Sequence, residues 1–399
     1  MSTIWIEQCR TPIYERIAHA LGRELAAAGH QVMVVKPTGF DGRSFGAFLG
    51  ELKDGLYLST NENNALQMLA PDGARHYFEI YGGRIVFVHQ DSVLARGDHV
   101  GVLNKLQSFQ RVAARSVHLC IEPGNVELLR SLGIAAQLVG HATETMARPP
   151  WTAGFLREAA FIGHVVPDTA QAPTLAEPLH SRIRALAEAR AADASLALES
   201  GLQALSEQAL PWFSSPQDRP LQAAAHRLWL RGQLHAHSLS MRGRLLEAAA
   251  LDDLTIFGGD PAYLHGVTRN LELQRPGIRH EPAAYDAQTL QRLHAGTAVS
   301  LNITALQFDH AVINRFHDVV MAGGLCLTDA KSLLPELTRH HAEVAYSTPA
   351  ELRDRVRHFA APQRAQERAL LVREMQREIA ERGTTARLAM DVLLAARGL

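Results

Sequence analysis

Residues 300–337, SLNITALQFDHAVINRFHDVVMAGGLCLTDAKSLLPEL, restrict the fold more than any other part of the chain, because they switch hydrophobic period twice. Val299 to Ile303 close an apolar run of strand length, and Arg315 to Met321 carry helical spacing. Asn314 stands where an N-cap is expected, since its side-chain oxygen can accept one of the free N–H groups of the first turn. Gly323 and Gly324 stop the helix, and Leu325 to Leu327 read as a buried strand with Thr328 and Asp329 just past its end. A strand, a loop and a helix N-terminus in that order form an anion site, because free N–H groups and the helix dipole point at whatever fills the loop. Open α/β sheets bind ligands at this same place, beyond the carboxyl ends of their strands.

The alternation begins at the N-terminus. Thr3 to Ile6 read as a strand, and Tyr14 to Ala28 as a helix with Ile17, Leu21 and Leu25 on one face. Gly29 closes that helix, and Gln31 to Val35 form the next strand. Further strands are expected at 54–58, 84–88, 117–121 and 136–139, a βαβ alternation that implies a parallel, doubly wound sheet. The loop at 7–12 carries no GxGxxG, so a dinucleotide cofactor is not expected. A chain of 399 residues exceeds one ordinary core and implies two domains. The net charge of −1 gives no electrostatic case for nucleic acid. Three widely spaced cysteines, Cys9, Cys120 and Cys326, argue against a disulfide framework or zinc site. With no signal-like N-terminus and no long apolar run, a cytoplasmic protein without a transmembrane segment is expected.

Several polar groups are candidates for chemistry. His89-Gln90-Asp91 follow a strand directly, where a histidine beside a carboxylate could shuttle protons or hold ligand hydroxyls; the competing reading is a helix-capping loop. Between about 176 and 250 lies an insertion-like block rich in Ala, Leu, Arg and Glu, which reads as two or three helices. It could pack around the sheet, form a homodimer face or serve as a recognition surface. Arg242 and Arg244 precede the expected strand at 254–257 and could clamp a diphosphate, because the guanidinium fork matches phosphate oxygens; solvated arginines are the alternative. His235/His237 and His340/His341 lack partner ligands, and twenty histidines are scattered through the chain, so no metal site is expected.

LNIT, then NRFHDVVMAGGLCLTD, then LLPEL resemble the nucleotide-sugar end of group 1 glycosyltransferases, in their spore-maturation-protein-like branch. The likeness runs over about 255–345, weakens over 1–150 and is absent between about 175 and 240. It implies an α/β GT-B fold of two facing Rossmann-like domains with a helical insertion. Residues 1–155 would hold the acceptor and 156–385 the nucleotide sugar, with a crossover helix at 386–399 returning to the first domain. It further implies transfer of a sugar from a nucleotide-diphosphate sugar to a glycan, protein or lipid-linked acceptor, with retention, without an essential metal and with no cofactor beyond the donor. Asp318 would hold the ribose diol, and Asn314 and Arg315 the phosphates. Asn302 and Thr304 of the LNIT element and Gly259 of the loop after 254–257 lie on the donor side. Arg279, His280, Pro282 and Tyr285 lie on the base side. Many relatives carry a glutamate eight positions before the ribose acid. This chain has His310 there, beside Asp309, and these two join His89 and Asp91 as catalytic candidates. That departure leaves open a nucleotide-sugar epimerase or hydrolase, or a catalytically silent binding or assembly partner.

Overall fold

The computed structural model describes residues 3–8, 12–52, 55–61, 64–92, 98–165, 177–209, 219–258, 277–284 and 286–399. Gly259 and Tyr285 lie outside the described residues. The chain divides into two compact units, the first made of Met1–Glu144, Leu202–Gly232 and Thr384–Leu399, the second of Thr145–Gly201 and Gln233–Gly383.

Six parallel strands build the first unit's sheet: β1 (Thr3–Glu7), β2 (Gln31–Val35), β3 (Leu56–Ser59), β4 (Arg84–His89), β5 (Ser116–Cys120) and β6 (Ala136–Leu138). Their order is β2-β1-β3-β4-β5-β6, so the winding reverses between β1 and β3. Interior strand β5 is buried along its whole length and β4 along all but its first residue, as a parallel sheet covered on both faces requires. The helix Pro12–Ala27 buries Ile17, Leu21 and Leu25, the face its spacing indicates. The terminal helix Thr385–Arg397 belongs to this unit, buries Leu388, Val392 and Ala396, and is tied to it by Thr385 N–H donating to the Thr143 carbonyl at 3.1 Å. Ala224, Ala225 and Leu228 of the helical block join the same core.

The second unit's sheet contains β7 (Arg157–Ile162), β8 (Leu254–Phe257), β9 (Ile278–Glu281), β10 (Thr297–Asn302), β11 (Cys326–Asp329) and β12 (Ala345–Tyr346). All neighbours are parallel in the order β12-β11-β10-β7-β8-β9. This is the doubly wound dinucleotide-fold order, with its switch point between β7 and β10. Thr328 and Asp329 are the last two residues of β11 and not the start of a loop.

The helical block resolves into four described helices, Leu179–Ala192, Glu199–Ala209, Arg219–Ala236 and Ser238–Ala249, where two or three were expected. The extra break falls at Asp193, whose carboxylate accepts from the Ser195 amide at 2.9 Å and so competes with helix continuation. The unit boundary at 144/145 precedes the sequence division at 155 because the intervening segment hydrogen-bonds into the second unit. Arg148 N–H donates to the Met321 carbonyl at 2.9 Å and Leu156 N–H to the Gly296 carbonyl at 2.9 Å. Gly323 ends the helix Asn314–Met321 with φ +90°, and a Cβ there would lie 2.6 Å from the Pro149 carbonyl oxygen, so two constraints select glycine.

Two predictions follow from this packing. A Cβ on Gly258 would sit 1.9 Å from the Gly163 carbonyl oxygen. Gly258→Ala is therefore expected to abolish the cooperative thermal transition of the second unit, whereas Gly50→Ala, where a Cβ meets nothing within 4 Å, should change stability by no more than about 1 kcal/mol. In the first unit His89 Nε2 and His118 Nδ1 share a 2.9 Å hydrogen bond inside the core. Burial lowers the pKa of His89 to about 3 and drives His118 well below its ordinary value. The unfolded chain takes up these protons near pH 6.5 and the folded one does not, so stability is full above pH 6.5 and declines as pH falls toward 3. Each such histidine steepens the decline by up to about 1.4 kcal/mol per pH unit. Urea melts between pH 7 and 4 should show a shallower slope for His118→Phe than for the native chain.

Candidate functional site

The switch point of the second sheet gathers the polar groups. Strand β7 ends on Phe161 and Ile162, and β10 on Asn302, so the ring of Phe161 and the Asn302 amide lie beside the reversal of the winding. Two arginines converge there. The Arg242 guanidinium, from the helix Ser238–Ala249, lies 5.9 Å from the centre of the Phe161 ring, and that of Arg315 lies 5.4 Å from it. Arg242 Nε donates to the Ile303 carbonyl at 3.1 Å, and Arg315 Nη1 donates to Asn302 Oδ1 at 3.2 Å. A Gly163 Cβ would come within 3.3 Å of Arg315 Nη2, so that guanidinium lies against the loop leaving β7.

Both arginines therefore bond to neutral oxygens. Among the described residues neither has a carboxylate within ion-pair distance. Burial, and then repulsion from Arg315, lower the Arg242 pKa to about 9. Burial lowers Arg315 as well, against the attraction of Asp329 and Asp318. An anion between them would relieve the repulsion.

The loop that leaves β10 is pinned from several sides. Thr304 donates to Asp329 Oδ1 from its amide at 3.1 Å and from its hydroxyl at 2.6 Å. The other carboxylate oxygen faces Lys331 Nζ at 3.0 Å and Arg190 Nη2 at 3.4 Å. Burial alone would raise the Asp329 carboxyl; Lys331, Arg190 and the Thr304 hydroxyl outweigh it and hold the pKa below the usual carboxylate range. Leu306 N–H donates to Ser238 Oγ at 2.9 Å, and Lys331 donates to the Phe308 carbonyl at 3.0 Å. Asp309 is buried within this loop, and His310 meets Ser332 Oγ at 2.7 Å.

The sequence candidates thus separate. Asn302, Thr304, Arg242 and Arg315 come together, with Asp309 and His310 on the adjoining loop. Asn314 is the first residue of its helix, and the N-cap is Ile313, which has no side chain able to cap; the opening N–H groups receive no side-chain oxygen. Asp318, one turn on, accepts from Thr145 Oγ1 at 3.3 Å. Arg244 points elsewhere, into a 2.7 Å ion pair with Glu188, because it lies two residues from Arg242 and so on another side of the helix. Pro282 lines a cavity of about 440 Å³ with Phe257, Glu281, Ala284, Asp286 and Leu293. His280 precedes it on β9 and is not part of that lining.

In the first unit His89 is 2% exposed and turned into the core toward His118, so its ring is not presented at the strand ends. Half-buried Asp91 is: its Oδ2 accepts from Asn61 Nδ2 at 3.0 Å and from the Tyr14 hydroxyl. Phe161, Arg190, Asp329 and Lys331 were absent from the sequence candidates. Arg190 lies in an Ala-rich helix with no motif, 139 residues from its carboxylate partner, and nothing local marks it. Among the described residues no group of three or more His, Cys, Asp or Glu could hold a metal ion, and no helix is long and apolar enough to cross a membrane.

Residues 242–394 match the family model described as glycosyl transferase-like. No curated protein matches the chain. Solved structures align over all of this chain and all of their own. They include the DNA-modifying enzyme β-glucosyltransferase (9% identity, TM-score 0.53), Anabaena HepE in complex with UDP-glucose (9%, 0.52), and the UDP-forming α,α-trehalose-phosphate synthase of Burkholderia vietnamiensis (10%, 0.52). At such identities the likeness is one of fold. The chain adopts the GT-B fold of glycosyltransferases, and its stretch 242–394, which supplies both Arg242 and Arg315, is glycosyl transferase-like in sequence.

Proposed function

We propose that this protein transfers a sugar from a nucleoside-diphosphate sugar to an acceptor hydroxyl. The observation that carries the reading is the pair of arginines at the β7/β10 switch point, which have no carboxylate within ion-pair distance among the described residues and repel each other. A diphosphate brings the missing negative charge, and guanidinium forks bind its oxygens in pairs. As the bond between sugar and diphosphate breaks, charge grows on the leaving group, and fixed cations aimed at it lower the barrier. The uncapped N–H groups at Asn314 add to this, because they and the helix dipole favour an anion.

The remaining assignments follow the chemistry of each group. Asp318 accepts two hydroxyls of the ribose, as a vicinal diol requires. The cavity beside Pro282, lined by Phe257, Ala284 and Leu293 together with Glu281 and Asp286, takes the base. Asp309 and His310 border the donor sugar. In the first unit, Asp91 is the acceptor-side carboxylate, oriented by Tyr14 and Asn61. Uridine is the base we favour, because the solved neighbours of this fold include a complex with UDP-glucose and a UDP-forming synthase. We further assign retention of the anomeric configuration and turnover without a divalent cation, the two arginines carrying the charge a metal would otherwise supply. In this reading the protein belongs to the spore-maturation-protein-like branch, which its LNIT and NRFHD elements support. Two buried thiols, Cys120 and Cys326, fit a reducing cytoplasm.

The test is thermal stability against UDP, GDP, dTDP, ADP and CMP. UDP at a hundredfold excess over its dissociation constant should stabilise the chain by about 2.7 kcal/mol. Arg315→Ala should weaken UDP binding by roughly ten- to hundredfold, since hydrogen bonds to charged groups contribute about 1.5–3 kcal/mol each. Transfer from UDP-sugar should persist in EDTA. UDP binding without turnover toward any acceptor would favour the silent-partner reading. No binding by any nucleotide would overturn the donor site.

A further inference from the structure

Asp329 is 2% exposed and its carboxylate fills its acceptor positions: two bonds from Thr304 on Oδ1, Lys331 and Arg190 on Oδ2. Arg190 and the Lys331 side chain are equally hidden, so no ligand reaches this triad directly. A buried ion group of this kind adds little net stability, because desolvation offsets the attraction, but it holds a geometry firmly. What it holds is residue 304, and residues 302–304 aim both arginines. Asn302 Oδ1 receives Arg315, the Ile303 carbonyl receives Arg242, and Thr304 is anchored to Asp329. A shift of Thr304 would displace the neighbouring Ile303 carbonyl and with it the Arg242 guanidinium.

Arg190 comes from the helix Leu179–Ala192, in the stretch that bears no likeness to the family named above. Its Nη1 donates to the Leu196 carbonyl, across the break at Asp193, so the guanidinium is fixed to the turn that follows its helix as well as to Asp329. We propose that Asp329 is the positioning residue of the arginine site and that Arg190 is the means by which the inserted helices set it, so that donor affinity depends on a helix that does not touch the donor. The inference rests on the donor-site reading given above.

The experiment is isothermal titration of the full chain with UDP, together with the KM and kcat for the UDP-sugar, in Arg190→Met, Arg190→Lys and Thr304→Val. Thr304→Val is nearly isosteric and keeps the amide bond to Asp329, so it reads the hydroxyl contact even if Arg190→Met folds poorly. Arg190→Met and Thr304→Val should each weaken UDP binding about tenfold and raise the donor KM without a matching change in the acceptor KM. Arg190→Lys should recover most of the loss. Variants with a lowered melting temperature but native UDP affinity would overturn the inference, leaving the triad a structural ion group only. If native protein binds UDP and Arg315→Ala does not, while these variants bind normally, the positioning claim alone fails. If the native protein binds no nucleotide, the donor-site reading fails and the inference with it.

Discussion

Two positive charges resting on one aromatic ring set the terms for the second unit. Arg242 and Arg315 share Phe161 and, among the described residues, bond to neutral oxygens, and burial raises the cost of keeping both charged. Cation–π contact contributes about 0.5–1 kcal/mol at an exposed site and about 2 or more when desolvated, which softens the repulsion without cancelling it. The arrangement persists because the surrounding structure leaves the arginines no other place. Arg242 emerges from a helix whose Met241, Leu245 and Leu246 are buried, and Arg315 from one whose Phe316, Val319 and Val320 are buried. Apolar burial thus holds the two guanidinium groups close together despite their mutual repulsion.

The same logic explains the loop after β10. Residues 303–309 are all buried although they form neither helix nor strand, so their backbone groups need partners. Side chains from three directions provide them: Ser238 and Arg242 from one helix, Asp329 from the end of β11, and Lys331 from the loop beyond it. Tyr346 adds a 2.9 Å hydrogen bond to the Asn302 carbonyl from β12. Four side chains thus tie the loop to the elements around it. The first unit shows a different use of buried polarity. There the stacked His89–His118 pair is enclosed by Phe87 and Phe109 and serves packing, while Asp91 remains at the strand ends.

Local pattern accounts for much of this. The apolar runs that became β4, β8 and β10 and the helical face of Ile17, Leu21 and Leu25 are readable because burial imposes a period on the residues that make it. The strand–loop–helix unit around Asn302 and Arg315 was readable for the same reason. The side of a strand end on which a polar group stands was not. His89 and Asp91 are equivalent by sequence, yet one is buried against His118 and the other is held at the surface by Tyr14 and Asn61, because the partners come from β5, the first helix and the loop after β3. Arg242 and Arg244 differ in the same way. Two residues on a helix turn a side chain by more than half a circle, and only the neighbours decide which arginine meets the sheet and which meets Glu188.

The sequence by itself determined two α/β units, the place of the strand–loop–helix crevice and the residue types that could bind an anion there, since these depend on hydrophobic period and turn chemistry over short spans. Only the tertiary structure decided that residues 202–232 fold with the first sheet, that Arg190 reaches Asp329 across 139 positions, and that Arg242 joins Arg315 over Phe161. Each of these is a long-range contact fixed by strand order. Parallel pairing of β7 with β10 brings the Phe161 strand beside the Asn302 strand, and no local pattern in either segment encodes that neighbour.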